Sequence, residues 1–270
     1  MIFADPELAS AAAQAGGEVV RDRFGGPLQR FDKAPGDFAT IADLESERAI
    51  LDVLRGARPD DAILGEEGGH TGPRASGRTW LVDPLCGTLN YAAHTPLVAV
   101  NVALRVGAQV STAAVAAPFA GEVFWAGDGR AQVRRGGVDE RLAPSGGSRL
   151  VDVNLDPPFP NAPTFHATTM LADAGFATRF GPRVLSTTLA VAWVAAGRRA
   201  AYVTDGDLRD SVHFAAGIAL CQAAGCVVTG LRGQPLHTGV GGLLVAADAE
   251  THADLLAVVD RQFRTAVPRP

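Results

Sequence analysis

The segment from Trp80 to Tyr91 constrains this chain most. An apolar run, Trp80-Leu81-Val82, leads directly into Asp83-Pro84, and Gly87-Thr88 follow after Leu85 and Cys86. Proline lacks an N–H and has a fixed φ, so regular strand pairing is expected to stop there, which leaves the Asp83 carboxylate at a strand end. Gly87 and Thr88 then open a turn or helix whose first N–H groups have no intrahelical partner, an arrangement suited to phosphate. A carboxylate beside an anion-binding turn calls for a cation between them, because two negative groups in contact repel.

The remainder of the chain supports a folded, soluble protein. With 270 residues and 47% hydrophobic content there is enough apolar side chain to offset chain entropy and fill a sizeable core. A formal charge of −5 argues against a nucleic-acid partner, which calls for a basic face, yet leaves room for a small anion held locally. Met1 to Val20 has no basic start followed by a compact apolar core and cleavage site, so no secretory signal is expected. The uncharged stretches Pro84–Leu104 and Val212–Leu231 contain Asn90, His94, His213 and Gln222, and read as buried globular segments with no membrane partner. Only Cys86, Cys221 and Cys226 are present, too few for a disulfide framework, so a reducing cytoplasm is the expected compartment.

Hydrophobic periodicity predicts helices over Glu7–Phe24 and Ile41–Ala57, the second capped by Thr40. Asp43 and Glu47 are i,i+4 neighbours there, and periodicity alone makes them a solvated acidic face. Strands are expected at Ala62–Leu64, Thr79–Val82, Leu97–Val106, Gln109–Ala116, Glu122–Trp125 and Ala131–Arg135. Gly136–Ser148 reads as a Gly- and Ser-rich surface loop and the best boundary in the chain. Beyond it come a strand at Val151–Asn154, helices near Pro163–Ala174 and Thr187–Ala196, and a strand at Ala200–Thr204. A helix at Ser211–Ala224, strands at Cys226–Thr229 and Gly242–Ala246, and a helix at His252–Phe263 complete the chain. Strands mixed with packed helices indicate a layered α/β or α+β protein.

The ordered set Lys33, Asp37-x-x-Thr40-x-x-Asp43-x-x-x-Glu47, Gly65-Glu66-Glu67, Trp80-x-x-Asp83-Pro84-x-x-Gly87-Thr88-x-Asn90-Tyr91, with Ala215-Ala216-Gly217 and Ala223-Ala224-Gly225 behind it, resembles the inositol monophosphatase family. The resemblance covers essentially the whole chain. It implies one domain over 1–270 with the layered α/β sandwich of the inositol monophosphatase and fructose-1,6-bisphosphatase type. In that layout 1–147 carries the metal and phosphate motifs and 148–270 completes the substrate site. It further implies a Mg2+-dependent phosphomonoesterase, commonly homodimeric, acting on a small sugar- or cyclitol-type phosphate. By this resemblance Glu66 is a ligand of the first metal, Asp83 bridges two metals, and the Leu85 carbonyl completes the first site. Thr88 with Asp43 orients the attacking water, the Gly87 and Thr88 backbone cradles phosphate, and Lys33, Ser186 and Thr187 lie about the substrate. Oxygen-only ligation suits Mg2+, and the chemistry would be in-line attack of water with the cations stabilising entering and leaving oxygens.

Two departures fall at the centre. Where the family pattern has Asp-Pro-x-Asp-Gly-Thr, this chain has Cys86 at the second acid; where it has Trp-Asp-x-Ala-Ala-Gly, this chain has Val212-His213. Both missing carboxylates are ligands of the same second metal. Gln222 and Thr204 replace two further acids. Three readings follow. One is a phosphatase with an altered metal site, Mg2+ at Glu66, Asp83 and Leu85 and Zn2+ or another transition metal at Asp83, Cys86 and His213. A second is an enzyme that needs no metal, with Cys86 as nucleophile or acid, His213 as its base and Asp83 or a nearby carboxylate as the orienter, in acyl or thioester chemistry. The third is a pseudo-phosphatase that binds a phosphorylated or polyhydroxylated small molecule without turning it over. Cys221 and Cys226 read as core filler, and His70, His94, His166, His237 and His252 lack partners at ligand spacing. Asp205, Asp207 and Arg183 are lesser candidates near the substrate.

Overall fold

The computed structural model describes residues 3–34, 37–73, 76–155 and 167–265. In chain order the elements are α1 (Asp5–Arg23), β1 (Arg30–Ala34), β2 (Asp37–Thr40), α2 (Ile41–Ala57), β3 (Ala62–Gly65), β4 (Gly69–Thr71), β5 (Arg78–Cys86) and α3 (Thr88–Ala92). There follow β6 (Ala99–Val106), β7 (Gln109–Ala117), β8 (Glu122–Gly127), β9 (Arg130–Arg135), β10 (Val138–Arg141), β11 (Leu150–Val153), α4 (Ala167–Met170), α5 (Ala174–Arg179) and β12 (Gly181–Arg183). Last come α6 (Leu189–Ala195), β13 (Ala201–Thr204), α7 (Ala215–Ala224), β14 (Val227–Thr229), β15 (Leu243–Ala246) and α8 (Ala249–Thr265).

Two sheets organise these elements. The larger has the order β10-β9-β8-β7-β6-β5-β3-β4, and the smaller β12-β11-β13-β15-β14. Side-chain alternation assigns the layers. Trp80 and Val82 of β5 join Leu8, Ile50 and Leu54 of α1 and α2 in one core, whereas Leu81 between them joins Val191, Leu220, Tyr202 and Val245 in another. A third core, with Val151, Val203, Met170, Phe176 and Leu255, covers the far face of the smaller sheet with α4, α5 and α8. The result is an α/β sandwich in which α6 and α7 lie between the two sheets. Strands covered on both faces lose the polar alternation of a half-exposed sheet, which is why Trp80 to Leu85 is buried throughout.

Pro84 does not end β5. Pairing with β6 matches Asp83 to Asn101, shifts register, and resumes with Cys86 opposite Ala99. Proline is tolerated at such an irregularity because the ladder is locally broken there. Gly136–Ser148 is not all loop either: Val138–Arg141 pairs with β9 as an edge strand. The hairpin β1–β2 and the short β4, α3 and β12 are not anticipated by the periodicity. Of the helix expected near Pro163–Ala174, residues 163–166 lie outside the described residues, and the rest divides between α4 and α5. α7 starts at Ala215, leaving Ser211 to Phe214 as a loop.

Where α6 meets α7, a Cβ on Gly217 would stand 2.9 Å from Val191 Cγ1 and 3.1 Å from its Cβ. Val191 is fully buried and β-branched, so it has little freedom to yield. Gly217→Ala should therefore lower stability by about 1–2 kcal/mol through overpacking, despite alanine's better helix propensity. Urea unfolding checks this; a midpoint at or above the parent's would mean that the two helices separate without cost.

Candidate active site

The strand end and the turn after it form one rigid corner. Gly87 adopts φ 105°, and a Cβ there would lie 2.8 Å from the Ser186 carbonyl oxygen and 3.0 Å from that of Leu97. Both the left-handed backbone and the two carbonyls demand glycine. Asn90 Nδ2 donates to those same two carbonyls at 2.9 Å each, so the first turn of α3 is tied to the segment before α6. From that segment Thr188 N donates to Cys86 Sγ at 3.2 Å, and Thr187 Oγ1 donates to the Cys86 carbonyl at 3.4 Å.

Asp83 is fully buried and is the hub. Its Oδ1 accepts from Leu85 N at 3.2 Å. Its Oδ2 accepts from Asn101 Nδ2 at 3.2 Å and from His213 Nδ1 at 2.8 Å. One ligand atom each from Asp83, Cys86 and His213 lies within 4.8 Å of the others, so the thiol and the imidazole meet beside the Asp83 carboxylate. Glu66 Oε2 stands 3.9 Å from His213 Nδ1. Burial alone would lower His213, but the charge and hydrogen bond of Asp83, with Glu66 behind, outweigh it and hold the imidazole up at about 9. Burial, with Asp83 adding to it, raises Glu66 to about 8.

Burial also pushes the Cys86 thiol well above its usual value, Asp83 adds to the rise, and the Thr188 contacts only oppose it. This is the reverse of the activated thiolate that a Cys86 nucleophile requires. Asp83 engages His213 at Nδ1, and among the described residues Cys86 Sγ has its hydrogen bond from Thr188 N.

A second acidic pair lies on the other side of the corner. Asp43 and Glu47 are buried, not a solvated face. Asp43 Oδ2 accepts from Thr40 N at 2.7 Å and from Thr40 Oγ1 at 2.5 Å, closing the capping box of α2, while Oδ1 accepts from Thr88 Oγ1 at 3.1 Å. The Thr88 hydroxyl has a competing acceptor in the Leu85 carbonyl at 3.2 Å. Burial raises Asp43 to about 6 against these hydrogen bonds. Glu47 accepts from Glu67 N at 2.9 Å and Gly68 N at 2.7 Å, and so shapes the turn that presents Glu66. Lys33 on β1 reaches Glu66 at 3.0 Å and Glu67 at 2.6 Å.

A cavity of about 300 Å³ opens onto Glu66, Leu85, Cys86, Gly87, Thr88 and His213, with Ser186 and Thr187 on its wall. Asn154, Thr204, Asp205 and Asp207 from the smaller sheet and the loop after it line the far side. Lys33 stays behind Glu66 and does not line the cavity. Arg183 is exposed and bonds the Pro182 carbonyl, and His94 packs near the Phe24 ring, so neither reaches the cavity. Cys221 is buried and donates to the Val191 carbonyl, His252 pairs with Thr229, and His166 lies outside the described residues. Sequence reasoning misses Asn101, which also donates to Thr188 Oγ1 at 2.9 Å. The one available signal is an amide inside the otherwise apolar run Ala99–Leu104.

Among the described residues no helix is long and apolar enough to cross a membrane. Residues 6–263 match the model of the inositol monophosphatase family. Similar proteins include the inositol-1-monophosphatase of Caulobacter vibrioides, 31% identical over 95% of this chain and 98% of that protein, and the Nus factor SuhB of Salmonella typhimurium, 30% identical over 97% and 98%. Among solved structures, the extragenic suppressor protein suhB of Bartonella henselae superposes with a TM-score of 0.81 at 25% identity, covering 94% of this chain and 98% of that one. The family match over nearly the whole chain establishes that this chain belongs to the inositol monophosphatase family.

Proposed function

We propose that the chain hydrolyses a phosphomonoester of a small sugar- or cyclitol-type alcohol, with one hard-cation place retained and the second altered. The observation that carries this reading is the hydrogen bond from Thr88, which lines the cavity together with Glu66, to the buried Asp43. Above about pH 6 Asp43 is ionised and draws the Thr88 hydrogen toward itself. The Thr88 oxygen then presents lone pairs to a water and fixes its orientation for attack on phosphorus. The Gly87 and Thr88 N–H groups face the phosphate oxygens. Hydroxyls of Ser186 and Thr187 and the amide of Asn154 suit a polyhydroxylated leaving alcohol.

The donors at the first metal place fit a hard cation. Glu66 and Asp83 supply carboxylate oxygens and Leu85 a carbonyl, and burial with the Asp83 charge nearby raises Glu66 even against Lys33 at 3.0 Å. Mg2+ held there would polarise the phosphoryl group and offset its charge. The second place, with a thiol and an imidazole, does not fit Mg2+. A metal-free Cys86 nucleophile is disfavoured by the raised thiol.

Release of inorganic phosphate from inositol 1-phosphate and a panel of sugar phosphates, with Mg2+, Mn2+ or Zn2+ supplied, tests the reading. Thr88→Ala should lower kcat by about 100-fold with little change in KM, since the water and not the substrate loses its guide. Equal turnover by parent and variant, or none on any phosphoester with any metal, would overturn it.

A further inference from the structure

The second metal place is altered in a specific direction. We infer that Asp83, Cys86 and His213 bind a thiophilic divalent cation of the Zn2+ or Co2+ kind, in preference to Mg2+, at a site that keeps an open position toward the cavity. The inference deepens the phosphomonoesterase reading and rests on it for any role in turnover, whereas the binding itself is read separately.

Four observations converge on it. First, β5 supplies Asp83 and Cys86, the loop before α7 supplies His213, and their ligand atoms fall within 4.8 Å of one another. A tetrahedral ion with bonds of about 2.0–2.3 Å holds its donors roughly 3.3–3.8 Å apart. His213 Nδ1 and Asp83 Oδ2 stand closer, at 2.8 Å, with a proton between them. The ion would replace that proton and separate the pair by about half an ångström. His213, on a loop with its side chain 42% exposed, is the partner able to move.

Second, the sulfur has a built surround. Thr188 N–H points at Sγ, the kind of outer contact that orients a thiolate ligand and spreads its charge. Third, Thr188 Oγ1 also accepts from Asn101, which in turn donates to Asp83 Oδ2, so one residue braces both the thiol and the carboxylate arms. Rigid outer contacts of this kind set ligand direction for a particular ion. Fourth, Cys86 and His213 both line the cavity, giving an entry path and leaving a fourth position for solvent or a substrate oxygen.

The donor chemistry sets the preference. One carboxylate, one thiolate and one imidazole make a mixed O, S, N set. Mg2+ demands oxygen ligands in octahedral array and sheds its waters reluctantly, whereas Zn2+ and Co2+ accept sulfur and nitrogen in a four-coordinate site. On binding, the thiol proton and the proton shared by His213 and Asp83 pass to solvent, and the cation takes the positive place they leave.

The full chain, stripped with a chelator and titrated with Co2+ under exclusion of air, provides the test. Binding should saturate with a near-ultraviolet thiolate-to-Co2+ charge-transfer band and tetrahedral visible absorption. Zn2+ should abolish both, and excess Mg2+ should leave them unchanged. Cys86→Ser should lose the charge-transfer band, and His213→Ala should weaken Co2+ binding by about 100-fold. In the unmutated chain Zn2+, but not Mg2+, should protect Cys86 from alkylation as mapped by mass spectrometry, a readout independent of how the variants fold. A missing band, a band that survives in a folded Cys86→Ser variant, or equal protection by Mg2+ would overturn the site. Because none of these readouts needs turnover, a chain that shows the band yet hydrolyses no phosphoester would sink the phosphatase reading and leave the site standing.

Discussion

Asp83→Asn is expected to lower kcat/KM for phosphomonoester hydrolysis by about 1000-fold, the largest loss from any single isosteric change at this corner. The substitution keeps shape and removes charge. Asp83 Oδ1 faces an N–H from Leu85, and Oδ2 faces Asn101 Nδ2 and His213 Nδ1. Whichever way the new amide turns, its NH2 meets a donor, so one buried group is left without a partner at a cost of about 1–3 kcal/mol. The two proposed cation places would lose their shared anion as well. The same change has a signature in metal-free protein. Asp83 holds His213 above its ordinary 6.5, at about 9, against the burial that would lower it. A group raised in the folded state stabilises fully below its unfolded value and loses that contribution as pH climbs through its folded value. The parent's advantage over Asp83→Asn should therefore narrow between about pH 6.5 and pH 9, and the His213 ring resonance should titrate lower in the variant. Urea unfolding at several pH values and NMR titration with a chelator present read both effects. An unchanged His213 titration would mean that the imidazole does not depend on Asp83.

Much of this corner is legible in the chain because its parts are contiguous. Asp83, near the end of β5, and Gly87 and Thr88, which open α3, are close in sequence, and the Thr40 cap of α2 announces itself at the residue before the helix. What is not legible depends on partners far away in sequence. Asp43 and Glu47 look like a solvated face since charge on a helix normally is one; here Thr40, Thr88 and the N–H groups of Glu67 and Gly68 satisfy them in the interior. Asn101 acquires its role only through the β5–β6 register, which runs unbroken from Arg78 opposite Val106 to Asp83 opposite Asn101. The hairpin β1–β2 carries Lys33 without clear alternation, so propensity is silent there, and the Glu66 and Glu67 carboxylates that Lys33 meets lie more than thirty residues further along the chain. Departure from the family pattern at Cys86 and His213 is visible at once in sequence, but that the two side chains meet is a fact of folding.

The far wall of the cavity depends on a buried ion pair, and Arg199→Met should destabilise the chain by about 3–5 kcal/mol at neutral pH. Asp152 lies on β11 between β12 and β13 and is fully buried. One of its oxygens accepts from Arg199 Nε at 2.6 Å; the other has no hydrogen-bond partner among the described residues. Burial raises Asp152 above the usual carboxylate range, with Arg199 opposing the rise. Methionine offers an apolar chain of similar reach but takes away the cation and its stacking on the Trp193 ring, so that Asp152 must either lie in the interior as an unpaired charge or hold a proton. Asp152→Asn combined with Arg199→Met should recover a large part of the loss, because no bare charge remains. Direction with pH follows from the raised carboxylate. In the folded variant Asp152 keeps a proton that the unfolded chain releases, so stability falls as pH rises above the ordinary aspartate value. The deficit of Arg199→Met should thus be greatest near pH 7 and shrink on acidification. Denaturant midpoints at pH 7 and pH 5 measure it, and a deficit that grows toward acid would show that Asp152 is held ionised by something other than Arg199. Asn154, two residues beyond Asp152, donates its backbone N–H to the Val203 carbonyl at 3.0 Å, and its side chain lines the cavity opposite the phosphate turn. Loosening β11 should consequently raise KM before it lowers kcat, which separates damage to the substrate wall from damage to the metal corner.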